Sequence, residues 1–118
     1  MDKDGGGIEM KKINTVEEFN QVLADNEAIL FLKHSLTCPI SQAGFEQYQQ
    51  YTANNDKVHA YYLAVQEARP LSNYIAETYG VKHESPQALL FADDQVVWNA
   101  SHYNITVEAL KDAVNTIK

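Results

Sequence analysis

The chain has one cysteine, Cys38, and the residues around it favour a reactive thiol. Residues 28–32 form a short, continuously apolar run that predicts a strand buried on both faces. Pro39, directly after the cysteine, is favoured at the first position of a helix. Cys38 is therefore expected at a helix N-terminus, where unpaired N–H groups and the helix dipole stabilise a thiolate. Because the thiolate is the form that attacks a disulfide sulfur, this position predicts thiol–disulfide exchange.

The rest of the pattern predicts alternating strands and helices that would position this cysteine. Thr15 and Glu18 form a capping box at the start of one helix, and Gly80 ends another that begins at residue 70. Further helices are predicted over residues 39–51 and 107–117, and strands at residues 10–13, 28–32, 58–64, 88–92 and 95–99. The last two strands are separated only by Asp93-Asp94, which indicates a hairpin. This order predicts a mixed sheet with helices on both faces.

Composition indicates one domain and excludes several classes of function. The 118 residues carry a net charge of -7, which disfavours nucleic acid and anionic lipid as main partners because both attract basic surfaces. No apolar run reaches the roughly 18–20 residues that a membrane span needs. The scattered histidines predict no metal site, and a lone cysteine is typical of the reducing cytoplasm. Residues 1–9 are charged and Gly-rich without an apolar signal-peptide core, and they predict a flexible tail before a domain at residues 10–118.

Residues 37–41 form the motif Thr37-Cys38-Pro39-Ile40-Ser41, which is similar to the active site of a known family. This motif resembles the thioredoxin and glutaredoxin active site with the second cysteine replaced by serine, and specifically that of the monothiol bacilliredoxin family. The resemblance covers about residues 13–118 and implies a thioredoxin-like three-layer α/β/α sandwich with a mixed central sheet. Ser85 and Pro86 stand where thioredoxin-like proteins keep a cis-proline facing the active cysteine. The resemblance therefore implies a cis Pro86, which would leave the Ser85 backbone free to bind an extended substrate segment.

Ser41 sets the type of mechanism. A hydroxyl cannot resolve a mixed disulfide as a second thiol does, so Cys38 would keep its adduct until an external thiol clears it. Ser41 lies one turn from Cys38, and two interpretations are open: a hydrogen bond to the thiolate, or a solvated helix residue. Thioredoxins keep a buried acid where this chain has Leu32 and an aromatic residue where it has Thr37. Both differences separate the chain from thioredoxin itself, and neither conflicts with a monothiol exchanger.

Three polar residues near the motif have both a functional and a structural interpretation. A protonated His34 would raise the positive potential near the thiol, but a surface position at the end of the strand is the favoured interpretation. The same surface position is expected for Lys33. His83 precedes Ser85 and Pro86, where contact with a partner is one interpretation and a plain loop role is the favoured one.

The resemblance implies an activity, a co-substrate and partners. The implied reaction removes bacillithiol from S-bacillithiolated proteins in the cytoplasm, with no bound cofactor and with bacillithiol as a co-substrate. Bacillithiol or another redoxin would then reset Cys38. Two alternatives stay open: a generic monothiol redoxin that acts on other thiol adducts, and a thioredoxin-fold interaction module with an inert cysteine. A cluster shared by two subunits, as in some monothiol glutaredoxins, is disfavoured because their Gly-Phe pair is Pro39-Ile40 here.

Overall fold

The computed structural model describes residues 10–54 and 57–117, which form a five-stranded mixed sheet between two layers of helices. The strands are β1 (Met10–Lys12), β2 (Ala28–His34), β3 (His59–Ala64), β4 (Gln87–Ala92) and β5 (Gln95–Ser101). The helices are α1 (Val16–Asp25), α2 (Pro39–Ala53), α3 (Arg69–Tyr79) and α4 (Val107–Asn115), with a 3₁₀ turn at His102–Asn104. The sheet order is β1-β3-β2-β4-β5. Strands β1, β3 and β2 run parallel to one another, β4 runs antiparallel to β2, and β5 runs antiparallel to β4. The predicted element order and mixed sheet are confirmed.

The central strand β2 is buried on both faces, which explains its apolar run. Leu30 and Leu32 face a core shared with residues of α2 and α4, whereas Ile29 and Phe31 face a core shared with α1 and α3. This alternation follows from the two-residue period of a strand, and it places one helical layer on each side of the sheet. The result is the predicted three-layer α/β/α sandwich.

Local sequence signals explain where several elements begin and end. Thr15 Oγ1 accepts a hydrogen bond from Glu18 N at 3.1 Å, and Glu18 Oε1 accepts one from Thr15 N at 3.2 Å, so the predicted capping box opens α1. Gly80 ends α3 with φ +66°, a conformation that costs glycine little. Asp93 and Asp94 turn the β4–β5 hairpin with φ 53° and 63°, which matches the right-handed twist of its strands.

Some predicted boundaries change, and some predictions fall outside the described residues. Strand β2 continues through His34, two residues beyond the predicted end, and β5 continues to Ser101. The predicted tail at residues 1–9 lies outside the described residues, as does the last residue of the predicted domain. No helix in the described part of the chain is long and apolar enough to cross a membrane.

The topology gathers three segments at one edge of the sheet. Strands β2 and β3 are parallel, so the loop at residues 35–38 and the turn at residues 65–68 follow strand ends that lie side by side. Strand β4 runs antiparallel to β2, with Gln87 paired to Lys33, so β4 begins at this same edge. The segment before β4, which ends at Pro86, is therefore brought to the edge that carries Cys38.

Candidate active site

Cys38 is the N-cap residue of α2, as predicted. Its backbone is extended (φ -105°, ψ 122°), Pro39 follows at the first helical position, and Cys38 O accepts a hydrogen bond from Gln42 N at 3.1 Å. Its thiol is free, makes no capping hydrogen bond and is partly exposed. Thr37 and Pro39 beside it are exposed, and Ile40 is half-buried. Cys38 is therefore a half-buried residue between exposed neighbours, at the end of a helix where a negative charge is favoured.

The Ser85–Pro86 peptide bond is cis, as the resemblance implied, and Pro86 is buried against α2. A Cβ atom built on Gly44 of α2 would lie 3.2 Å from Pro86 Cγ, so any larger residue would require Pro86 to shift by a few tenths of an ångström. Pro86 O accepts a hydrogen bond from His102 N at 3.0 Å, which ties the 3₁₀ turn to the same loop. The hydroxyl of Ser85 is buried without a hydrogen-bond partner in the described structure, and substrate binding at this residue stays a prediction.

Ser41 is fully buried, so the solvated interpretation is wrong. Its Oγ atom accepts a hydrogen bond from Ser35 N at 2.7 Å and lies 3.3 Å from His34 Nδ1. In the described contacts its hydroxyl thus bonds the loop and the end of β2, and the hydrogen bond to the thiolate is not observed. The side chain points inward because residue 41 lies on the face of α2 that packs on the sheet. Ser41 therefore holds the loop that leads to Cys38.

The surface position expected for His34 is wrong, because β2 extends two residues further than predicted. The His34 side chain is 7% exposed, and its ring packs on Phe45 with the centroids 4.5 Å apart. Burial lowers the pKa of His34 below the ordinary 6.5, with a smaller opposing effect from a hydrogen bond at Ser41. A neutral ring at pH 7 supplies no positive potential to the thiol, so the electrostatic role considered for His34 is also not supported.

Lys33 is fully buried too, on the opposite face of the sheet, so its expected surface position is wrong. Its Nζ donates a hydrogen bond to Ser72 O at 3.0 Å and lies 3.4 Å from His83 Nδ1, and Ser72 Oγ is 3.2 Å from the same ring nitrogen. Burial lowers the pKa of Lys33 to about 8. Partial burial, followed by the nearby Lys33 charge, lowers the pKa of His83. The exposed His83 thus contacts the buried Lys33 and Ser72, which gives it more than the expected plain loop role.

The sequence patterns did not identify Gln66, which contacts the Cys38 loop directly. Gln66 Oε1 accepts a hydrogen bond from Leu36 N at 3.0 Å, and its Nε2 donates to Ser35 Oγ at 3.0 Å and to Thr37 Oγ1 at 3.4 Å. A signal was available: Gln66 follows a predicted strand, and the ends of adjacent parallel strands lie together. The sequence alone did not show which two strands are adjacent.

Two large apolar side chains are exposed on segments of the site. Leu36, two residues before Cys38, is 52% exposed, and Tyr103, in the 3₁₀ turn bonded to Pro86, is 73% exposed. Within residues 10–54 and 57–117, no group of three or more His, Cys, Asp or Glu side chains is arranged to hold a metal ion.

Solved structures of thioredoxin-fold proteins are similar to this chain over nearly its whole length. A protein described as an oxidoreductase with a thioredoxin fold is 42% identical, with a TM-score of 0.84, and the alignment covers 88% of this chain and 92% of that one. A thioredoxin mutant from Halobacterium salinarum is 24% identical (TM-score 0.73, covering 92% and 89%), and a Schistosoma mansoni thioredoxin is 10% identical (TM-score 0.74, covering 93% and 99%). These two thioredoxins support the fold alone.

The fold alone does not identify the family, but a match to a family profile does. The profile described as monothiol bacilliredoxin BrxC matches residues 11–110, a segment that contains Cys38, Ser41 and Pro86. The match covers most of the chain and agrees with the single thiol at the start of α2. The protein is therefore a thiol oxidoreductase with the thioredoxin fold, and the chain belongs to the monothiol bacilliredoxin BrxC family.

Proposed function

We propose that this protein removes bacillithiol from S-bacillithiolated proteins by exchange at Cys38. The observation that carries the proposal is the placement of one free, partly exposed thiol at the N-terminus of α2. Membership of a bacilliredoxin family supports partners that carry thiol-modified cysteines, and the proposal names bacillithiol as the modifying thiol. It places the reaction in the reducing cytoplasm, where a lone cysteine stays available as a thiol.

The first step transfers bacillithiol from the substrate to the enzyme. The Cys38 thiolate attacks the bacillithiol sulfur of the mixed disulfide, so a bond forms between Cys38 Sγ and that sulfur. The bond from that sulfur to the protein cysteine breaks, and the protein leaves as a thiolate that takes a proton from water. One disulfide is consumed and one is formed, so the exchange needs no net electron donor.

The second step needs a thiol from outside the chain. Ser41 occupies the motif position of a second cysteine, and its buried hydroxyl is hydrogen-bonded rather than nucleophilic. A free bacillithiol thiolate attacks the bacillithiol sulfur on Cys38, which regenerates the Cys38 thiolate and releases bacillithiol disulfide. A redoxin with two cysteines, itself reduced by an NADPH-dependent reductase, would supply the same two electrons. Bacillithiol is thus a co-substrate and occupies no permanent binding site.

The surface around Cys38 supports a protein substrate. Cys38 is half-buried beside the exposed Thr37 and Pro39, and Leu36 and Tyr103 expose apolar area on segments of the same site. An open surface admits the flanking chain of a protein mixed disulfide, which an enclosed pocket would exclude. The chain's net charge of -7 favours substrates that are not strongly acidic.

Intact mass spectrometry tests the proposal. A carrier protein with one surface cysteine is prepared as its mixed disulfide with bacillithiol, with glutathione and with cysteine, and each form is incubated with the reduced protein. We expect native protein to gain the mass of one bacillithiol and the Cys38→Ala variant to gain none. Because the proposal assigns specificity to bacillithiol, its transfer should be at least about tenfold faster than the other two.

Two outcomes contradict the proposal in different ways. Equal transfer rates for the three adducts would leave a monothiol redoxin without preference for bacillithiol. A native protein that gains no adduct from any carrier would remove support for exchange at Cys38. An alkylation rate that rises only near pH 8.5, the ordinary value for a free cysteine, would then indicate an inert thiol.

A further inference from the structure

We infer that Gln66 is a positioning residue for Cys38, holding the three preceding residues in the conformation that presents the thiol. One side-chain amide makes all three contacts. Its oxygen accepts from Leu36 N at 3.0 Å, and its nitrogen donates to Ser35 Oγ at 3.0 Å and Thr37 Oγ1 at 3.4 Å. The inference concerns thiol exchange at Cys38 and holds whichever thiol adduct is the natural substrate.

Gln66 projects from a well-defined turn. The β2–β3 ladder continues one residue past the strands through a hydrogen bond from Val65 N to His34 O at 2.8 Å. The next residues form a turn in which Glu67 N and Ala68 N donate to Ala64 O at 2.9 Å and 3.0 Å. Gln66 is therefore placed beside Ser35 by backbone contacts that do not depend on its own side chain.

The loop is also held from its other side. Ser41 Oγ accepts from Ser35 N at 2.7 Å, so Ser35 is bonded to α2 through its backbone and to Gln66 through its side chain. Gln66 itself is exposed, so its amide contacts are not a consequence of burial in the core. A polar side chain that is free to extend into water instead bonds three consecutive residues of one loop. These three hydrogen bonds restrict the conformation of the loop at each of its three residues.

The loop conformation matters because the reactivity of Cys38 depends on where its sulfur lies. The stabilising N–H groups of α2 are fixed in direction, and the charge effect of a helix end is confined to its first turn. Small displacements of a reacting atom carry large kinetic costs, up to about a hundredfold for roughly 1 Å. Release of the loop would let Cys38 sample positions away from the helix end and lower the population that reacts.

The test measures the reactivity of Cys38 with two small reagents, iodoacetamide and the aromatic disulfide 5,5′-dithiobis(2-nitrobenzoate). Gln66→Met keeps the length of the side chain and removes all three hydrogen bonds. Gln95→Met is the matched control, since Gln95 is an exposed glutamine at the start of β5, at the edge of the sheet opposite Cys38. Ser35→Ala removes one acceptor of the Gln66 amide and leaves the Ser35 backbone bond to Ser41 in place.

We expect Gln66→Met to slow both reactions about tenfold at pH 7, with Gln95→Met within twofold of native. The backbone amide of Leu36 should exchange its hydrogen faster in Gln66→Met, because its acceptor is gone. Ser35→Ala should slow both reactions less, and the combined variant should react no more slowly than Gln66→Met alone. Such non-additivity shows that the two residues act through their shared contact.

The inference is overturned if Gln66→Met reacts within twofold of native, or if Gln95→Met slows both reactions as much as Gln66→Met does. It is also overturned if the effects of Gln66→Met and Ser35→Ala on the reaction rate add fully in the combined variant. Slowing only with a protein mixed disulfide would also overturn it, because that result indicates direct contact with substrate. If Gln66→Met fails to fold, Ser35→Ala and Thr37→Val replace it in the test. Each of these variants must then slow the reaction of Cys38 with both reagents. If native protein shows no preference for bacillithiol while Gln66→Met still slows both small-reagent reactions, the result counts against the proposed substrate and leaves this inference intact.

Discussion

The end of β2 carries two buried polar residues whose side chains enter opposite faces of the sheet. His34 lies on the α2 face, where it contacts Ser41 and packs on Phe45. Lys33 lies on the α3 face, where its ammonium group donates to Ser72 O and approaches His83. Because the two residues are adjacent in the sequence, the differences between their contacts come from the face of the sheet that each side chain enters.

The two clusters differ in charge and in the segments they connect. His34 and Ser41 form a neutral contact, which avoids the cost of a buried charge and joins the end of β2 to the helix of Cys38. Lys33 retains a titratable amine inside the protein, with only a carbonyl and a histidine ring as described partners. It links β2 to α3 and to the segment before Pro86. We therefore expect substitutions at Lys33 to change stability most, and substitutions around Ser41 to change both stability and thiol reactivity.

The largest expected effect is that of Lys33→Ala. This substitution leaves a cavity on the α3 face and removes the contacts to Ser72 and His83, so the free energy of unfolding should fall by about 3 kcal/mol. Lys33→Met fills the same space without the charge and should stay within about 1 kcal/mol of native. Urea unfolding at pH 7 measures both. Equal losses for the two variants would show that the amine, rather than its packing, stabilises this face.

A smaller effect is expected for Ser41→Ala. The variant leaves the Ser35 N–H without its acceptor, which should lower the free energy of unfolding by about 1–2 kcal/mol. It should also slow the reaction of Cys38 with a small disulfide several-fold, because the loop loses one of its two supports. Ser101→Ala, at a half-buried serine of β5, serves as the control. Unchanged thiol reactivity in Ser41→Ala would confine the role of Ser41 to folding.

The smallest expected effect is a dependence of stability on pH that belongs to Lys33. Burial lowers the pKa of Lys33 to about 8, from 10.5 for an ordinary lysine. Below pH 8 both states are protonated and the cost of burying the charge is fully present. Above pH 8 the folded chain releases this proton before the unfolded chain does, so the free energy of unfolding rises with pH.

Urea unfolding of native protein and Lys33→Met between pH 8 and 9.5 isolates this contribution. We expect native protein to gain about 1 kcal/mol relative to Lys33→Met between pH 8 and pH 9. Ionisation of tyrosines in the unfolded state affects native protein and Lys33→Met equally, so it cancels in the comparison. A constant difference between the two proteins would mean that the pKa of Lys33 is not lowered in the folded state.

Much of the fold and part of the site could be predicted from short stretches of sequence. The capping box at Thr15, the stop at Gly80 and the placement of Cys38 before Pro39 depend on residues within one helical turn. The hairpin at Asp93-Asp94 is equally local. Contacts of this range depend on backbone geometry that neighbouring residues determine by themselves, so they were predictable without knowing what packs against them.

The sequence by itself determined that a thiol stands at the start of a helix in an α/β domain, and its motif indicated the family. Only the tertiary structure decided what surrounds that thiol. The burial of Lys33 and His34 depends on helices packing over both faces of β2, and the partners of Ser41 depend on the face of α2 that meets the sheet. Gln66 reaches the loop across about thirty residues of chain because β3 pairs beside β2. Strand order is set by the packing of the whole sheet, and no local pattern encodes it.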